Sequence, residues 1–380
     1  MTQARPMTVF LAFVILMVHL TPAMASQGTP ATAEVENVTE TTNHFPEGMS
    51  FATRVDIPSG ETVDAVQLLY RIGSDQTLNL EIIGDDEYTV VDGAVELDAF
   101  VDLLSSFVPV GVELRFSWEI LFENGDVVST AEETTQWMDN RFDWEMRSTD
   151  QVRLYTYDIS GDFADMMLTE SQATIDDLVT RYSIEGIAPI TIWIYPNGED
   201  FSGTRQGNSR EAIAGVTYPG LDTIIGIVPD GDEREFARVI PHEISHQVLF
   251  AATDNPYNAP PLWFDEGIAT HTQTGGTEHY PRMVRNAHEE GRLFDIRSLE
   301  VSFPYQPQQA TLAYASSWSM ISYIEASWGT EGIARLIDAF ALGLPADEAV
   351  MTALGVSMDD LDTGWKAWIA TQGTTSRPAA

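Results

Sequence analysis

The chain of 380 residues contains no cysteine. That excludes disulfides, thiolate metal ligands and lipid attachment at a cysteine behind a leader, so the fold rests on burial rather than on cross-links. Lysine is almost missing too: Lys366 is the only one, and every other basic residue is arginine. Against 19 basic residues stand 58 acidic ones, a net charge of −39. Phosphate backbones and anionic lipid surfaces repel such a chain, so nucleic acid and membrane surfaces are not expected partners. The acidity resembles that of proteins from saline environments, where salt screens self-repulsion. An ordinary acidic exported protein from a lysine-poor genome, or one acting on a basic substrate, would look the same.

Long apolar runs are equally scarce. Only Val9 to Leu20, behind Arg5, forms one, and Ala23-Met24-Ala25 offers a small-residue cleavage site. Residues 1–25 therefore read as a signal peptide and 26–33 as a flexible leader. The stretch is short for a membrane span, with a retained anchor as the alternative. A secreted, extracellular chain without stable membrane insertion is the expectation. Asn37-Val38-Thr39 fits a glycosylation acceptor, a pattern too common to decide anything.

From residue 34 to about 145 the pattern is β. Met49 to Val55 alternates in part, Val66, Leu68 and Tyr70 more clearly, and Val112 to Ile120 throughout. Asn124-Gly125 marks a hairpin turn leading back through Val127 and Val128. The expectation is a β-sandwich of immunoglobulin or fibronectin type, with Phe100 to Phe107 as a short helical insertion. Trp118, Trp137, Phe142 and Trp144 read as core and domain-junction packing. A boundary near Asp143 to Asp150 opens a second domain over 150–371, with 372–380 as a tail. There, strands over Val152–Tyr157, Ile190–Tyr195 and Thr223–Val228 accompany an amphipathic helix marked by Phe163, Met167, Leu178, Val179 and Tyr182. Helices then follow over Pro281–Glu290, Ala313–Trp328, Gly332–Ala341, Ala346–Leu354 and Met358–Ile369, with Gly329, Gly343 and Gly355 as stops.

Between the last strand and these helices lies His242-Glu243-Ile244-Ser245-His246. On a helix, residues four apart share a face, so both imidazoles can meet one Zn²⁺. Glu243 sits one step round, placed to take a proton from water that the metal activates. Pro241 either kinks this helix or starts it, and the apolar spacing of Phe236, Val239, Ile240 and Ile244 favours a kink. A catalytic zinc needs a third protein ligand. A third histidine at the usual place is excluded, because Leu249 and Ala252 occupy the positions of the required Gly and His. Trp263-Phe264-Asp265-Glu266-Gly267-Ile268-Ala269 follows, with 19 residues between His246 and Glu266, enough for a loop rich in helix breakers.

The paired segments resemble the gluzincins, and most closely the peptidase MA-like family of bacterial secreted metallohydrolases, over roughly residues 150 to 370. The resemblance implies a zincin-like, mainly helical catalytic part, hence an α+β chain. It implies His242, His246 and Glu266 as zinc ligands, Glu243 as general base, and a protein or peptide substrate. Two departures matter. No Gly-x-Met-Glu-Asn segment precedes the helix, which favours an endopeptidase over an aminopeptidase. Position 270 is Thr rather than the Asp that thermolysin-like enzymes use to orient a histidine, leaving Asp265 and Thr270 as candidates for that task. The strand before the zinc helix would line the cleft and pair with an extended peptide. The resemblance also implies a Tyr or His donor to the oxyanion. Tyr314, near the expected start of a helix, is the choice, with His271, His279 and Tyr280 as rivals. The reading of another class is a non-catalytic zincin-fold binding protein that recognises its partner through the sandwich; Glu243 argues against it.

Overall fold

The computed structural model describes residues 32–372 apart from 36, 74–76, 85–86, 107 and 203–213. The expected signal peptide and most of the tail lie outside these residues. The expected leader overlaps them at its end, where Thr32 and Ala33 belong to a strand.

The N-terminal half is built of strands that alternate between core and solvent. They are β1 (Thr32–Val35), β2 (Glu40–His44), β3 (Gly48–Asp56), β4 (Val63–Ile72), β5 (Asn79–Ile83), β6 (Tyr88–Val91), β7 (Ala94–Asp102), β8 (Glu113–Phe122), β9 (Val127–Thr130) and β10 (Glu133–Gln136). One sheet runs β1-β9-β8-β4-β5 with β10 also on β8, and the other runs β2-β3-β7-β6. They face each other across a core containing Phe51, Leu68, Phe116 and Trp118, with the rings of Phe51 and Phe116 edge-on at 4.8 Å. The expected helix over Phe100–Phe107 is corrected: residues 94–102 are strand β7, whose side chains alternate between buried and exposed from Val95 onward, and residues 104–106 form a turn. Phe100 points outward and is 46% exposed, so an apolar residue on the wet face disguised the period.

The second half opens with β11 (Glu145–Ser148), β12 (Val152–Thr156), α1 (Gly161–Tyr182), β13 (Ile190–Tyr195), α2 (Gly198–Ser202), β14 (Gly215–Tyr218) and β15 (Thr223–Ile227). The sheet order is β11-β12-β13-β15-β14, with β12, β13 and β15 parallel and β14 antiparallel to β15. Both faces are covered, and Ile190-Thr191-Ile192-Trp193-Ile194-Tyr195 shows how. Its isoleucines join the helical core. Trp193 and Tyr195 turn to the other side, where they pack with Val110 from the sandwich. The buried Asp139 carboxylate closes this junction, accepting from the Tyr195 hydroxyl at 2.9 Å and from Arg141 at 2.7 and 2.8 Å. Trp118 and Trp137 lie in the sandwich core, Phe142 and Trp144 at the junction.

The helices α3 (Glu233–Thr253), α4 (Leu262–Thr272), α5 (Tyr280–Glu289), α6 (Pro307–Trp328), α7 (Thr330–Ala341), α8 (Ala346–Leu354) and α9 (Met358–Gln372) complete the described chain. The Asp232 side chain caps α3 by accepting from the Glu235 N–H at 3.0 Å. The helix continues through Pro241, so a start at that residue is excluded. Helix α4 lies against α6 so closely that a Cβ on Gly267 would stand 2.9 Å from the Ser317 carbonyl. Glycine costs a helix interior about 1 kcal/mol relative to alanine, and here it lets two backbones meet. Among the described residues no helix is long and apolar enough to cross a membrane.

Candidate metal centre

Burial of Phe236, Val239, Ile240, Ile244 and Val248 anchors one face of α3 in the core. The other face turns His242 and His246 into a cleft of about 630 Å³, which Glu243 also lines. Helix α4 brings Glu266 to the same point. Nε2 of His242 lies 3.2 Å from Nε2 of His246, and Oε2 of Glu266 lies 3.4 and 3.7 Å from these two atoms. Bonds of about 2.0–2.1 Å to a tetrahedral ion place neighbouring donors about 3.3 Å apart. The three atoms thus mark one face of a tetrahedron of the right size, and the trio could hold a metal ion. Oε2 of Glu266 is buried without a hydrogen-bond partner, which a cation would remedy.

Both histidines are held from behind. Nδ1 of His246 lies 2.8 Å from Oδ1 of Asp265. Burial alone would push the His246 pKa down, but the charges of Asp265, Glu266 and Glu243 outweigh it and hold it at about 10. Burial likewise acts to raise the Asp265 pKa, and the His246 charge reverses this, leaving it below the ordinary carboxylate value. The side-chain amide of Gln273, just after α4, lies 3.0 Å from Nδ1 of His242. Thr270, the other expected orienting residue, does not face a histidine. Its hydroxyl bonds back to the Glu266 carbonyl at 2.6 Å.

Glu243 is pinned from across the cleft. The Thr217 hydroxyl on β14 lies 2.7 Å from Oε2 of Glu243 and 2.9 Å from its backbone carbonyl, sharing one hydrogen between them. Gly215 makes room, since a Cβ there would stand 2.8 Å from the other carboxylate oxygen. The cleft-lining strand is thus β14, not β15. The expectation that the strand before the zinc helix lines the cleft is corrected, because β15 is internal to the sheet and β14 forms its edge. Sequence periodicity missed β14, whose four residues are all half-buried and carry no alternation.

Tyr314 lines the cleft opposite, its ring 6.4 Å from that of His242 and edge-on to Phe303 at 5.0 Å. Helix α6 begins at Pro307, so Tyr314 stands about two turns inside it, and the argument from a helix N-terminus does not apply. None of the three rivals is among the residues lining this cleft, although Tyr280 is near enough that, after burial, the Glu266 charge also raises its phenol pKa. His271 faces Glu325, with 3.5 Å between Nε2 and the carboxylate. His279 precedes α5 at the mouth of a different cavity, and Tyr280 packs on Trp318.

Among curated proteins no sequence matches the chain. Among solved structures it is similar to an aminopeptidase N family protein from Idiomarina loihiensis, with 9% identity, a TM-score of 0.38, and coverage of 83% of this chain and 72% of that one. It is also similar to a polysaccharide deacetylase from Bacillus cereus, with 10% identity, a TM-score of 0.23 and 44% of this chain covered; it spans 55% of that protein's length. Superpositions this loose carry no argument about activity. The sequence profile of the Peptidase MA superfamily matches residues 169–371, more than half of the chain and the whole of α3 and α4. The chain belongs to the Peptidase MA superfamily.

Proposed function

We propose that this protein is a secreted zinc endopeptidase, with His242, His246 and Glu266 as metal ligands and Glu243 as general base. The observation that carries the reading is one cleft holding three donor atoms at tetrahedral spacing and a fourth, separately pinned carboxylate. Two imidazoles and one carboxylate are a donor set suited to zinc. Zinc, when bound, supplies Lewis acidity that polarises a carbonyl and acidifies water.

The chain's own residues supply the rest. Glu243 takes the proton of the attacking water and passes it to the leaving amine. Thr217 holds the Glu243 carboxylate in one orientation while this happens. Tyr314 faces the ligands from the far wall and donates to the developing oxyanion. The edge strand β14 offers a template for an extended peptide. Among the described residues lining the cleft there is no Arg or Lys to grip a terminal carboxylate, and its carboxylates face the histidines or, as Glu243, are held by Thr217, which supports cleavage within a chain. Secretion rests on the N-terminal apolar stretch and its Ala23-Met24-Ala25 site. The N-terminal sheets are read as an immunoglobulin- or fibronectin-type sandwich fixed to the catalytic part through the Asp139 junction.

The test is hydrolysis of an unstructured protein and of peptides blocked at both ends. Activity that a chelator abolishes and zinc restores supports the reading, with Glu243→Gln retaining metal but losing about two to four orders of magnitude in turnover. Metal-loaded protein that leaves blocked peptides intact while trimming free N-termini would overturn the endopeptidase assignment.

A further inference from the structure

We propose that Gln273 is the residue that positions His242 for metal binding, and that Pro241 creates the backbone contact that holds Gln273 in place. The proposal rests on the metal-site reading above. Its starting point is a missing hydrogen bond. Proline has no N–H, so Pro241 cannot bond to the carbonyl of Ala237 four residues back in α3. That carbonyl is not left idle: it accepts the N–H of Thr274 at 3.1 Å. Thr274 follows the end of α4, and the contact fixes the chain there against the flank of the helix that carries both histidines. The residue before it is Gln273, whose side-chain amide meets Nδ1 of His242 at 3.0 Å. The helix-breaking residue beside the first histidine thereby anchors the partner of that histidine.

The choice of an amide has a chemical consequence. With its nitrogen facing Nδ1, the Gln273 amide suits the imidazole tautomer that carries its proton on Nε2, the atom 3.4 Å from the Glu266 carboxylate. When Nε2 serves as a ligand, the proton resides on Nδ1. A half-turn of the amide then presents its oxygen to Nδ1–H with no change of shape. A carboxylate could serve only this second tautomer. His246 differs: it is backed by a carboxylate, that of Asp265, which can only accept from Nδ1–H. The two histidines are thus supported unequally, one by a charge and one by a neutral group that suits either tautomer.

The experiment measures zinc dissociation constants by competition with a chelator, on full-length chains whose metal-free melting temperatures are compared first. Gln273→Met keeps the volume and removes the acceptor. Gln273→Glu keeps the acceptor. The Met variant should bind zinc about 10- to 100-fold more weakly, with an unaltered metal-free melting temperature, and the Glu variant should restore wild-type affinity or exceed it. Pro241→Ala supplies an N–H that competes with Thr274 for the Ala237 carbonyl, and should also weaken zinc binding. Because both changes act through one contact, the double variant Pro241→Ala/Gln273→Met should bind no more weakly than Gln273→Met alone. Wild-type affinity in Gln273→Met overturns the role of Gln273, and additive losses in the double variant overturn the role of Pro241. If the wild-type chain itself binds no zinc, the metal-site reading fails, an outcome distinct from either of these.

Discussion

Asp265 stands immediately before Glu266 on α4, and its carboxylate reaches the outer nitrogen of His246, Oδ1 to Nδ1 at 2.8 Å. One helical turn thus supplies a candidate ligand and the group that orients another. The contact favours a proton on Nδ1, so that Nε2 is the nitrogen that serves the ion when one is bound. Asp265→Ala should weaken zinc binding about 10- to 100-fold in chelator competition. Asp265→Asn, which still presents an oxygen to Nδ1–H, should lose less. Equal, wild-type affinity in both variants would show that Asp265 does not orient the ligand.

A second prediction separates base positioning from metal binding. Thr217 touches Glu243 and none of the three candidate ligands. Thr217→Val keeps the shape of the side chain and removes the hydroxyl. A hydrogen bond to a charged group contributes about 1.5–3 kcal/mol, so turnover should fall about ten- to a hundredfold. Zinc content should stay at one per chain. A loss of zinc together with activity would mean that β14 supports the site as a whole rather than Glu243.

The difference between Glu243 and Thr217 also marks what could be read from sequence. His242, Glu243 and His246 were legible because four-residue spacing on one helix is a local property. Glu266 was legible through the Trp263-to-Ala269 segment, and Gly267 within it answers to the close approach of α6. Thr217, Gln273 and Asp139 were not legible, since each acts only where distant segments meet: an edge strand over a helix, a loop against Ala237, a carboxylate under two domains. The first two turns of α6 escaped as well. Pro307-Gln308-Gln309-Ala310 has no apolar period, although proline at a first helical position is a signal that could have found it.

The third prediction concerns alkaline stability. Burial pushes the Tyr182 hydroxyl up to about 12, and burial with the neighbouring Asp139 raises Tyr195 further. Below the unfolded value of about 10 both states hold these protons, so nothing is lost there. Above it the unfolded chain releases protons that the folded chain retains, and stability falls as pH rises. For Tyr182 the interval from about 10 to about 12 corresponds to roughly 2 to 3 kcal/mol. Lys366 is the only lysine, so this window is little disturbed by other cations. Denaturant unfolding between pH 9 and 11.5 should show a steepening loss above pH 10, and Tyr182→Phe should reduce its slope. An unchanged slope in that variant would assign the loss to other groups.

The last prediction concerns Tyr314. It is the one tyrosine among the described residues lining the cleft, and its ring lies 6.4 Å from that of His242. Its position about two turns inside α6 removes any help from a helix N-terminus, so its phenol must act by direct donation. Phe303, edge-on at 5.0 Å, fixes the ring plane and leaves the hydroxyl as the variable. Tyr314→Phe keeps the packing and deletes the donor. Loss of one oxyanion donor costs about a hundred- to a thousandfold in kcat, with KM nearly unchanged, because the oxyanion exists only in the transition state. Zinc content should not move, since no candidate ligand is altered. A rise in KM at constant kcat would instead make Tyr314 a residue that grips the substrate, and unaltered kinetics would leave it as packing for Phe303.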